Sequence, residues 1–150
     1  MSTQTKIREF CFQYLFHLQL PIFSEAKAEL LSEDKSQIKN SLNDFKETTN
    51  SLFNDQENEK VLNRSYGVIQ NYQELEDKIS NNLKNWKINR LSKVDHTILL
   101  LASYELMYEK ETPRNVVINE AIELSKKFGA QDSSRFINGV LDNLSKSLEN

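Results

Sequence analysis

The sequence predicts an all-α protein, a compact bundle of about six or seven helices, and three observations lead there. Apolar residues recur at i, i+3, i+4 and i+7 along most of the 150 residues, the spacing that lines one face of a helix. Three glycines and two prolines leave little material for a turn-rich β architecture. No segment alternates apolar and polar residues long enough to form a strand face. With 38% hydrophobic and 27% charged residues, the chain reads as one ordinary globular domain spanning residues 1–150, large enough for its own core.

Ile7, Phe10, Cys11, Tyr14, Leu15 and Leu18 make the first stripe, so a helix runs from about Thr3 to Leu20. Pro21 ends it, lacking an amide proton and disfavouring helical geometry in the residue before it, and Ser24 caps the next helix. From Glu25 to Lys60 the chain is polar and acid-rich. Leu30, Leu31, Ile38, Leu42, Phe45, Leu52 and Phe53 are anchors that fit helix better than strand, and a partly mobile stretch is expected near Thr48 to Glu59. A helical stripe resumes with Val61, Leu62, Ser65, Val68, Ile69, Tyr72, Leu75 and Ile79, followed by Leu83, Trp86 and the cations Lys84, Lys87, Arg90 and Lys93. By pattern, those cations are a solvated helix end before they are a nucleic-acid patch.

Ser92 and Asp95 have capping-box spacing, with Asp shorter than the usual Glu. They open a helix from Lys93 to about Tyr108 that turns Val94, Ile98, Leu101, Ala102 and Leu106 inward. After Pro113, the face of Val117, Ala121, Leu124 and Phe128 stops at Gly129, read as a left-handed cap, while Gly139 reads as a close-packing position. Asp132 to Ser134 cap a last helix that carries Phe136, Val140, Leu141, Leu144 and Leu148.

Several function classes are excluded by what the sequence lacks. Cys11 is the only cysteine, so neither an internal disulfide nor a thiolate metal cluster is available, which suits a reducing, cytoplasmic setting. On its apolar stripe Cys11 reads as a small buried hydrophobe and not as a nucleophile. His17 and His96 have no local ligand partner, and no glycine-rich phosphate loop is present, so no metal, no cofactor and no catalytic residues are expected. No apolar run approaches the roughly 20 residues that span a bilayer, and Met1 to Lys6 is too polar for a signal peptide, so no membrane association is expected. A net charge of −3 argues against nonspecific grip on nucleic acid. Any RNA site must be a local patch or be shared with a partner.

The run from Arg90 to Leu106 (RLSKVDHTILLLASYEL) resembles the NusB family, and the run from Pro113 to Gly129 (PRNVVINEAIELSKKFG) does so more strongly. Gln131 to Asp142 (QDSSRFINGVLD) completes the pattern, and Lys6 to Phe16 (KIREFCFQYLF) is similar to the family's first helix. The resemblance implies two packed three-helix groups and a non-enzymatic adaptor in transcription antitermination. It would bind box A RNA together with NusE, also a small-subunit ribosomal protein, in an RNA polymerase antitermination complex that reads through terminators, notably in ribosomal RNA operons. Related proteins are monomers or homodimers, and the resemblance leaves both open.

The resemblance points to Lys6, Arg8, Gln13, Phe16, Asp132, Arg135 and Phe136 as the RNA-binding set and to Asp95 as the residue facing NusE. Cations would hold phosphates while Gln13 and the aromatics meet splayed single-stranded bases. The plainer readings stand beside these: core packing for Phe16 and Phe136, solvated cations for Lys6 and Arg135, and a helix-start carboxylate for Asp95. Only Lys6 and Arg8 stand where the family carries several arginines, so tight RNA binding is expected to need the partner. Two other readings are an accessory domain of an RNA cytosine methyltransferase, whose catalytic α/β domain these residues do not supply, and an interaction module that has lost RNA binding.

Overall fold

The structure, a computed structural model, describes residues 2–19, 35–85 and 87–149. Among them are seven α-helices, one 3-10 turn and no strand. The chain divides into two compact units, Met1–Gln70 and Asn71–Asn150. Pro21, Ser24, Leu30, Leu31 and Trp86 lie outside the described residues.

The first unit holds α1 (Thr3–Gln19), α2 (Lys35–Thr49) and α3 (Asp55–Gln70). α3 packs against both α1 and α2. The expected stripe of α1 is buried, and Cys11 sits within it, fully enclosed, its Sγ against the Val61 carbonyl and receiving a hydrogen bond from Ser65. Phe10 meets Phe45 and Phe53 with ring centroids 5.5 and 5.1 Å apart, and Phe45 also contacts Tyr14 and His17, so aromatic rings seat α2 on α1. Tyr14 donates a 2.8 Å hydrogen bond to Ser41, and burial pushes its phenol up to about 12, so it stays neutral.

The stretch from Thr48 to Glu59 contains two helix ends joined by a defined turn. Asn50 adopts left-handed geometry (φ 54°), and the Ser51 amide returns to the Lys46 carbonyl, closing α2. Asn54 and Glu57 then form a reciprocal capping box at the start of α3: each side chain accepts a 2.8 Å bond from the other's backbone amide.

The second unit holds α4 (Tyr72–Ser80), the 3-10 turn Ile88–Arg90, α5 (Lys93–Tyr108), α6 (Arg114–Phe128) and α7 (Ser133–Ser147). The stripe from Val61 to Ile79 is split at Asn71, where helical bonding breaks and resumes at once. Asparagine is a weak helix former whose side chain competes for backbone groups, which makes it a low-cost site for such a break. α5 is the centre: Ile98, Leu99, Leu100, Leu101 and Ala102 are all buried, and α4, α6 and α7 each pack against it. A helix buried on all sides shows no single apolar stripe.

The expected cap at Ser92 is present, its Oγ accepting from the Asp95 amide at 3.1 Å, without a return bond from the shorter Asp95 side chain. Both glycine readings need correction. Gly129 is extended (φ −95°, ψ 179°) and not left-handed; a Cβ there would meet the Ser125 carbonyl oxygen at 2.8 Å and Ser133 Cβ at 3.0 Å. It is glycine for space. Gly139 has open space around its Cβ direction and packs closely against nothing. Gly129→Ala should therefore destabilise by roughly 1–3 kcal/mol through overpacking, whereas Gly139→Ala, in an exposed helix interior, should stabilise by about 0.5–1 kcal/mol. Urea unfolding of the two variants checks this opposition of sign.

Candidate functional site

The segment between α6 and α7 is closed by short bonds. The Gly129 amide ends α6 on the Ser125 carbonyl at 2.8 Å, Ser133 Oγ accepts from the Ala130 amide at 3.1 Å, and Ser125 and Ser134 hydroxyls meet at 2.8 Å. Ser133 is thereby buried and fixes the start of α7. Asp132 stands at the N-cap but its side chain makes no capping bond, contrary to expectation, and it remains exposed. Ser133 uses its hydroxyl on the preceding turn instead.

A cavity of about 340 Å³ opens here, with Arg90, Ser92, Asp95, Asp132 and Phe136 among its lining residues. Three residues singled out from sequence, Asp95, Asp132 and Phe136, therefore share one site. The starts of α5 and α7 both reach it through Ser92 and Asp132, and helix N-termini carry partial positive charge suited to an anionic group. Phe136 is partly exposed, so part of its ring is available to a flat ligand. Asp95 Oδ1 is buried with no hydrogen-bond partner, an acceptor that a donor from a bound molecule would satisfy. Arg135 is exposed on the first turn of α7, outside the cavity lining.

On α1, Lys6 and Gln13 are exposed and Phe16 is partly exposed, its ring 5.9 Å from that of Phe12. Spacings of seven and three residues place Lys6, Gln13 and Phe16 along one side of the helix. Arg8, expected to act with them, is only 4% exposed and lies on the other side. Sequence reading missed Arg90 as a site residue. Its signal was modest: a cation two residues before a helix cap, in a stretch without carboxylates.

The model of the NusB family matches residues 5–146. The chain belongs to the NusB family. Membership makes it a non-enzymatic adaptor, and among the described residues no group of three or more His, Cys, Asp or Glu is placed to hold a metal ion. No helix among them is long and apolar enough to cross a membrane. The transcription antitermination protein NusB of Clostridium novyi (strain NT) is 40% identical over 117 residues, covering 78% of this chain and 88% of that protein. NusB of Bacillus cereus (strain B4264) is 42% identical over 116 residues, covering 77% and 82%. Among solved structures, NusB of T. maritima matches with a TM-score of 0.78 at 33% identity over 95% of this chain and 90% of that one. A NusB solved with NusE and double-stranded RNA shares the fold, with a TM-score of 0.77 at 22% identity over 98% of each chain.

Proposed function

We propose that this protein is an antitermination adaptor that binds box A RNA together with NusE and joins the RNA polymerase complex that reads through terminators, notably in ribosomal RNA operons. The observation that most supports this reading is the shared cavity of Asp95, Asp132 and Phe136, because it brings the residue assigned to the partner beside residues assigned to the RNA. In this reading the exposed part of the Phe136 ring stacks on an unpaired base while Arg90 and Arg135 hold phosphates. Asp95 offers its unsatisfied oxygen to a donor on NusE. Lys6, Gln13 and Phe16 form a second contact surface on α1, and buried Arg8 serves it by holding that helix in position. An adaptor on nascent RNA works in the cytoplasm. Whether the free protein is a monomer or a homodimer is secondary to this role.

The partner is integral to the proposal for an electrostatic reason. The chain carries a net charge of −3, and Arg8 is buried, so few exposed cations on α1 can neutralise phosphates. Additional cations must come from NusE. Titrating labelled box A RNA into the protein alone and into an equimolar mixture with NusE should give weak binding in the first case and binding at least about tenfold tighter in the second, a coupling of about 1.4 kcal/mol. Equal affinity in both would exclude the shared RNA site.

A further inference from the structure

We infer that the connection between α4 and α5 is a phosphate track that carries single-stranded RNA onward from the Phe136 cavity, beyond the box A element itself. This rests on the RNA-binding function proposed above and adds a second segment of RNA to it.

No carboxylate occurs between Asp77 and Asp95, although the chain as a whole is acidic. Lys84, Lys87, Arg90 and Lys93 fall within that stretch, all four are exposed, and among the described residues none of their side chains takes part in an ion pair. Elsewhere in the same unit several exposed cations are matched: Arg114 lies 3.0 Å from Glu149 and 3.8 Å from Asp142, Lys146 3.0 Å from Asp142, and Lys126 3.5 Å from Glu123, while Lys110 and Arg135 are exposed without an ion pair among the described residues. Four unmatched cations between Lys84 and Lys93, in a stretch without a carboxylate, are a local concentration of positive charge.

From Lys87 onward the backbone is closed by defined hydrogen bonds. The Arg90 amide bonds to the Lys87 carbonyl at 2.9 Å, closing a 3-10 turn that holds these two residues one turn apart, and Ser92 then caps α5 with Lys93 at its first position. Asn85 and Asn89 are exposed between the cations and supply amide donors and acceptors for sugar and base edges. The decisive feature is continuity. Arg90 belongs both to this cationic stretch and to the lining of the Phe136 cavity. A strand with one base on Phe136 must continue with a charged phosphate at every nucleotide, and the adjoining unmatched cations suit that path.

The test uses the full chain with NusE and two RNAs, box A alone and box A extended by unstructured pyrimidine tails, against the wild type and a Lys84→Ala/Lys87→Ala/Lys93→Ala variant. The wild type should bind the extended RNA more tightly and with a steeper salt dependence. The triple variant should lose that increment, on the order of tenfold at low salt, with the slope of log affinity against log salt falling by about 2, and should bind box A alone as the wild type does. Its melting temperature should be unchanged, since all three side chains are exposed. No gain from the tails in the wild type, or an undiminished gain in the variant, would overturn the track while leaving box A recognition intact. Loss of NusE binding in the variant, with the tail increment retained, would also overturn it and assign the cations to a protein contact. Failure of the wild type to bind box A alone or with NusE would instead remove the function on which the track depends.

Discussion

Phe136→Ala should weaken box A RNA binding by about 1–3 kcal/mol, the range for losing one base–aromatic stack, or roughly 5- to 150-fold. Phe136 is partly exposed at the cavity it shares with Arg90, Asp95 and Asp132. Truncation should therefore cost well below the ~3–5 kcal/mol of folding stability that a fully enclosed Phe contributes. Arg135→Ala separates stacking from charge. As an exposed cation on the first turn of α7, Arg135 should contribute to different RNA sequences by a similar factor, and its loss should reduce the salt slope by about 0.7–1. A severely destabilised Phe136→Ala, with an unchanged salt slope for Arg135→Ala, would move the RNA surface elsewhere on the fold.

Leu141→Ala should have the opposite profile. Leu141 lies on α7, the helix that carries Arg135 and Phe136, and is 0% exposed. Removing its side chain leaves a cavity where α7 packs against α5 and α6, at a cost of about 2.7–5.0 kcal/mol of stability. RNA affinity measured well below the melting transition should change little, because Leu141 is fully buried and is not among the residues that line the cavity. Chemical denaturation paired with RNA titration distinguishes the two classes: Phe136→Ala moves the titration more than the unfolding curve, and Leu141→Ala the reverse.

Much of the fold was legible because local signals agreed with tertiary ones. Ser92 fixed the start of α5, and the apolar stripes of α1 and α7 named their buried faces. The break at Asn71 was not legible because apolar spacing continues across it and asparagine only weakly opposes helix. The Asn54–Glu57 capping box was readable in principle, but the polar composition around it resembled a loose connection. Gly129 was identified as special for the wrong physical reason: its constraint is the proximity of the Ser125 carbonyl and Ser133, which pattern cannot show. The site divides similarly. The family resemblance selected Asp95, Asp132 and Phe136, yet their meeting at one cavity depends on where α5 and α7 begin in space. The burial of Arg8 and the addition of Arg90 likewise follow from packing, since a cation's exposure is not written in its spacing.

Sequence-selective binding of RNA by the two-protein assembly is the most direct measure of adaptor function. With NusE present, anisotropy titrations should be run at physiological salt with labelled box A RNA and with a scrambled RNA of the same length and composition. Adaptor function requires box A to bind more tightly by at least about tenfold, the equivalent of a base contact worth ~1–3 kcal/mol, with the difference reduced in Phe136→Ala. Equal affinity for the two RNAs, rising and falling together with salt, would mean that the assembly reads only phosphate charge, which contradicts box A recognition.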